Sequence, residues 1–227
     1  MESASRQNPA ETIDTQLRGF IGGPQFPCVG AKSACATGGF HVVTAGNICR
    51  DEDDAQIHRT IKAWGLLHHG SAKGFFSLAV VFGKSRPLGE IAFEQALWAR
   101  LQALADIDAA CGEHLDNSVS AQPDHADFAL SLGGTAFFVV GLHPGSARRS
   151  RQFAYPAIIF NLHAQFVRLR EQQLYDKMRR QIMRRDIALA GSANPMLANH
   201  GDRSAARQYS GRELGEDWVC PFRDVRA

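Results

Sequence analysis

The side chains of this chain that could do chemistry crowd into its last third. Imidazoles stand at His143 and His163, and guanidiniums at Arg148, Arg149 and Arg151. A mixed set follows in Arg207-Gln208-Tyr209-Ser210-Gly211-Arg212, with Asn194-Pro195-Met196 just before it and Trp218-Val219-Cys220-Pro221-Phe222 after it. Amide, imidazole, guanidinium and phenol groups recur among glycines and prolines that fix the backbone, the way binding and reacting groups are usually presented.

Each candidate has two readings. His163, in Phe160-Asn161-Leu162-His163-Ala164-Gln165-Phe166, could ligate a metal or a haem iron while its apolar neighbours wall off one face. It could equally be a helix-start histidine with a satisfied hydrogen bond. His143 stands where an apolar run stops at Pro144-Gly145, and strand ends are where α/β folds hold ligands and catalytic groups. Arg148, Arg149 and Arg151 could pair with ligand carboxylates, or stay exposed and make nothing specific. The 207–212 segment could orient a polar substrate, Gly211 allowing close backbone approach, or be an ordinary polar loop. Cys28 and Cys220, each beside a proline, read as an axial thiolate or as small buried cysteines.

Positioning these groups calls for strands and helices in alternation. Phe40–Ala45, Phe75–Phe82, Thr135–Leu142 and Pro156–Phe160 are short apolar runs, predicted as four buried strands. Asp54 to His69 has helical spacing. Glu90 to Ala110 is the clearest amphipathic helix, with Phe93, Leu97, Leu101 and Leu104 in one stripe and Trp98 and Ala105 beside it. One long helix is predicted from Asn161, as N-cap, to Leu189, stopped by Gly191. The expectation is α/β (or α+β): a single compact domain over residues 17–227, a mixed sheet of about four strands flanked by helices. The polar residues 1–16 are expected to be a flexible segment.

Composition narrows the function classes. The chain has 227 residues and a formal net charge of +2, too small to demand an anionic partner. The charge is uneven, ten Arg or Lys against three acids between Arg148 and Asp186, but aromatic residues are poorly interleaved there, so no nucleic-acid partner is expected. No run of about 18 apolar residues argues for a membrane span, and the N-terminus has no signal-like apolar core; a cytoplasmic protein is expected. Five cysteines, odd in number and irregularly spaced, argue against a disulfide framework or a structural zinc site. Gly-x-Gly-x-x-Gly, Gly-x-x-x-x-Gly-Lys-Ser/Thr, Gly-x-Ser-x-Gly and His-Glu-x-x-His are all absent.

Taken in order, several motifs resemble the YqcI/YcgG family. They are Phe26-Pro27-Cys28, Phe93 through Gln102, Gly141-Leu142-His143-Pro144, Phe160 through Phe166, Arg185-Asp186, Gly191 through Met196, Ala206 through Arg212, and Trp218 through Phe222. The chain departs from the family pattern at Ala205, where an acidic residue often follows Ser204. The resemblance implies haem b and an N-hydroxylase (monooxygenase) acting on a guanidino or amino, arginine-like substrate, with dioxygen and an external electron donor, or with peroxide. It implies His163, or else His143, as iron ligand, and Arg148, Arg149 or Arg151 against the haem propionates. Arg207, Gln208, Tyr209 and Arg212 would line the distal or propionate side, and Asp186, Asn194 or Asn161 would accept from a guanidinium. A homodimer is compatible with this reading. A haem-binding carrier or gas sensor is the alternative.

Overall fold

The computed structural model describes residues 9–71, 73–197 and 202–227. Helices α1 (Pro9–Gly22) and α2 (Val29–Ala36) lead into strand β1 (Phe40–Ala45), helix α3 (Asp54–His68), strand β2 (Ser77–Phe82) and helix α4 (Glu90–Ala110). Strands β3 (Leu130–Leu132), β4 (Thr135–Leu142) and β5 (Ala157–Leu162) follow. Then come α5 (His163–Glu171), α6 (Tyr175–Ala190) and the short α7 (Ala206–Tyr209). The strands form one mixed sheet in the order β1-β2-β5-β4-β3. Only β1 and β2 run parallel, joined by the α3 crossover that a parallel pair requires.

Alternation along the strands assigns the two faces of the sheet. Phe137 and Val139 of β4, Ile158, Phe160 and Leu162 of β5, and Leu78, Val80 and Phe82 of β2 pack into a core with α3, α4 and the C-terminal tail. Ala79, Val81, Leu142, Ala157 and Ile159 face the other way, toward Ile13, Leu17 and Ile21 of α1 and Ala34 of α2. All six residues of β2 are buried, consistent with its interior place in the sheet.

Helix α4 has the predicted bounds and buries the predicted stripe. It also buries three charged side chains, each tying down another segment. Glu94 accepts from Arg212 and from Trp218 Nε1 (2.6 Å). Arg100 pairs with Asp54 and donates to the Arg50 carbonyl. Asp108 holds His58 and Arg226.

Three expectations are corrected. Residues 9–16 are helical, with Ile13 buried, so within the predicted flexible segment only residues 1–8 lie outside the described residues. Asn161 is not an N-cap but a strand residue: it accepts from Ser77 Oγ (2.7 Å) and donates to the Phe138 carbonyl (3.1 Å). The single long helix is two. Gln173 takes φ +58°, Gln173 N–H donates to the Arg170 carbonyl and Leu174 N–H to that of Leu169, the double bond pattern that closes a helix end. That left-handed position is usually glycine, and with glutamine in it the sequence carried no stop signal.

Candidate functional site

The α5–α6 hairpin roofs the second face of the sheet and leaves a cleft of about 410 Å³, within the range of small-molecule and cofactor sites. Its floor is Phe138, Val140, Ile159 and Asn161; Phe26, Cys28 and Ala31 form one wall. Met178, Ile182 and Met183 of α6, with Phe166 and Val167 of α5, close it from above. Cationic groups interrupt this apolar lining at Arg151, Arg170, Arg179 and Arg203, while Asp127 and Asp186 are its acids. Asp186 is already neutralised, since Arg148 Nη2 donates to it at 2.6 Å and Ser150 Oγ at 2.8 Å. The cleft therefore favours an amphipathic, anionic ligand.

Strand parity explains which candidates meet in the cleft. On β5, residues 157, 159 and 161 face the roof, and His163, continuing that parity into the first turn of α5, lines the cleft with Asn161. On β4 the roof-facing residues are 138, 140 and 142, so His143 falls on the opposite side. There it is buried and stacks on Phe93 at 4.2 Å, its Nδ1 3.3 Å from the Leu88 carbonyl oxygen. The two histidines are not brought together, and His143 does not line the cleft.

The arginines diverge likewise. Arg148 is committed to Asp186 and to the Ser192 carbonyl, Arg149 is exposed, and only Arg151 lines the cleft. In the 207–212 segment only Gln208 reaches it. Arg207 donates to the Trp218 and Gly215 carbonyls and lies over the Trp218 ring. Tyr209 is fully buried against Trp98, donating to the Phe137 carbonyl, and burial pushes its phenol pKa far up. Arg212 is bound to Glu94. Asn194 lines the cleft, its Oδ1 accepting from Met196 N–H at 3.0 Å. Cys28 lines it too, capping α2 by accepting from Ala31 N–H (3.4 Å), and burial raises its thiol pKa. Cys220 lies elsewhere, with its pKa pushed up to about 12 by burial.

The cleft residues that lie outside the sequence motifs are Phe138, Arg170, Arg179, Arg203, Met178 and Met183. Alternation along Thr135–Leu142 could have placed Phe138 and Val140 on one face. Met178 and Ile182 stand at helical spacing on α6, and what they cover is a cavity. Among the described residues, no group of three or more His, Cys, Asp or Glu side chains is placed to hold a metal ion.

Burial holds His143 neutral by lowering its pKa, with Arg151 adding to the effect. The unfolded chain therefore takes up a proton, below about pH 6.5, that the folded chain refuses. Stability is expected to fall on acidification from that pH down toward the native pKa. Urea midpoints at about pH 7.5 and 5.5 read the slope, and His143→Gln should flatten it. An identical slope in the variant would contradict this role. His68, also lowered by burial, adds to the same slope and remains in the variant.

Fold and site together define an α/β protein with a large amphipathic cleft between its sheet and a two-helix roof. The chain belongs to the YqcI/YcgG family, whose model matches residues 17–223. No curated protein and no solved structure matches it. No helix among the described residues is long and apolar enough to cross a membrane.

Proposed function

We propose that the cleft binds haem b and that the protein is a haem-dependent oxygenase hydroxylating a nitrogen of a guanidino or amino substrate. The observation that carries this reading is the donor set of the cleft: one imidazole, His163, among aromatic and thioether side chains, with four arginines around them. The cleft has too few side-chain donors for a bare metal ion, whereas a porphyrin brings four nitrogens of its own and asks the protein for one axial ligand, flat apolar contact and cations for two carboxylates. The residues present fit that requirement. His163 is the iron ligand of this proposal; Cys28, a half-buried thiol whose pKa is raised by desolvation, is the weaker donor.

Bound there, haem supplies the activation of dioxygen, with electrons from an external donor or with peroxide. The chain's own contribution is to exclude water and orient the substrate. Phe138, Phe166, Met178, Ile182 and Met183 keep bulk water from the cleft. Asp186 is spent on Arg148 and Ser150, so accepting from a guanidinium falls to the side-chain amides of Gln208 and Asn194 and to the exposed Asp127 at the cleft rim.

A non-catalytic haem carrier or gas sensor is the second reading. One observation favours it: Arg207, Tyr209 and Arg212, the polar groups expected to position a substrate, are engaged elsewhere. Turnover separates the two. Haemin-loaded protein supplied with a flavin reductase and NADH, or with peroxide, should add one oxygen atom to L-arginine or to agmatine, read by mass spectrometry. Haem binding without any oxygenated product would favour the carrier, and failure to bind haem would overturn both.

A further inference from the structure

Arg151 is built into the cleft wall rather than left on its rim. Nη1 donates to the carbonyls of Gly141 (3.2 Å) and Tyr209 (3.0 Å), and Nη2 to that of Gln208 (2.8 Å). Gly211, at φ +85°, lies flat against it: a Cβ there would stand 2.6 Å from Arg151 Cδ and 3.0 Å from Nε. Backbone from two separate segments thus fixes one guanidinium in one orientation.

Three of its five N–H groups are used by these carbonyls. The Nε–H and the second Nη2–H have no acceptor among the described residues. In a guanidinium these two project side by side, as the fork that takes a carboxylate through two parallel hydrogen bonds. Among the described residues, no carboxylate is in ion-pair range of Arg151. Asp186, whose charge acts on Arg151, is already held by Arg148 and Ser150. The surrounding protein lowers the Arg151 pKa to about 10, which leaves it charged at neutral pH. The other cleft cations differ: Arg203 is paired at the surface with Glu216, Arg179 donates to the Leu197 carbonyl (3.2 Å), and Arg170 lies over the Tyr175 ring. A desolvated cation without a counter-ion is costly, and an arriving anion offsets that cost.

We propose that Arg151 is a carboxylate receptor, its Nε–Nη2 edge taking a carboxylate of the molecule that fills the cleft. The inference rests on the cleft being a ligand site, as proposed above, but not on the ligand being haem. The carboxylate can come from a porphyrin propionate or from the α-carboxylate of an amino-acid substrate.

Two ligand pairs distinguish these sources without altering the fold. Zinc protoporphyrin IX and its dimethyl ester differ only in their propionate charges; L-arginine and agmatine share a guanidine and differ in the carboxylate. Dissociation constants of the full chain should favour the acid member of at least one pair by about tenfold or more, the scale of a charged hydrogen-bonded pair. Arg151→Lys and Arg151→Gln should lose most of that preference, melting temperatures confirming that they fold. Discrimination in the porphyrin pair assigns the propionate, and in the amine pair the substrate. Wild-type protein that prefers neither acid, or variants that keep the full preference, would overturn the proposal even if porphyrin binds. A chain that binds no porphyrin, yet separates L-arginine from agmatine through Arg151, would overturn the haem reading and leave this one standing.

Discussion

An Asp108→Ala variant is expected to be less stable than the parent chain by about 3–5 kcal/mol, the cost of leaving buried partners of an ion pair uncompensated. For a chain of this size that is a fall of roughly 6–20 °C in melting temperature. Asp108 is fully buried on α4 and joins three segments. His58 Nε2 of α3 lies 2.5 Å from its Oδ1, Gly133 N–H between β3 and β4 donates to both oxygens (2.8 and 3.0 Å), and Arg226 of the C-terminal tail donates to Oδ2. Alanine leaves an imidazole, an amide and a guanidinium facing a hole. Asp108→Asn keeps the size but loses the charge, and should fall between the two. Chemical unfolding of the three proteins checks the order, and a loss below about 1 kcal/mol in the alanine variant would show that the tail is held by packing of Trp218 and Phe222 on Trp98 instead. The network lies on the α4 side of the sheet, so the cleft should keep its ligand wherever the variant stays folded.

The second large effect is expected at His163. His163→Ala should weaken haemin binding by more than about a hundredfold, since losing even an outer partner of a metal ligand commonly costs ten- to a hundredfold. Added imidazole should restore much of the spectrum by occupying the space left behind. That rescue distinguishes a lost ligand from a distorted cleft. His143→Gln should leave the haem spectrum unchanged, because His143 is stacked on Phe93 across the sheet. A His163→Ala protein with parental affinity and spectrum would move the ligand to another residue, Cys28 being the next donor in the cleft.

Much of the scaffold was legible in the sequence. The 3.6-residue stripe of Phe93, Leu97, Leu101 and Leu104 marks the centre of the face that α4 buries, while the charges Glu94, Arg100 and Asp108 buried on the same helix follow no such pattern. The four predicted strands are all present; Leu130–Leu132 was missed as too short to show a pattern. The break at Gln173 left no sign, since it depends on a left-handed residue that is not glycine.

The site was only half legible, for a geometric reason. Motif reading places residues along the chain, whereas cleft membership is decided by which side of the sheet a residue faces. Asn161 on β5 and His163, which continues its parity into α5, both line the cleft; His143, just past the end of β4, has the opposite parity and does not. Arg148 caps, and Arg149 and Arg151 begin and end, a single 3₁₀ turn (Arg149–Arg151), which sends them in different directions: to Asp186, to solvent and into the cleft. The polar run 207–212 looked like one site, yet Tyr209 and Arg212 point to α4, where Trp98 and Glu94 receive them. Knowing the order of the strands, together with their alternation, would have resolved the histidines; the arginines needed the tertiary fold.

Whether the cleft holds haem through His163, as proposed, is decided by a haemin titration of the full chain followed by absorption in the ferric, ferrous and ferrous-carbonyl states. A Soret band saturating at one haem per chain is expected, with a ferrous-carbonyl spectrum of the imidazole-ligated type. A carbonyl spectrum of the thiolate type would contradict the assignment of His163, and a chain that stays colourless with haemin present would contradict the cofactor and the hydroxylase reading together.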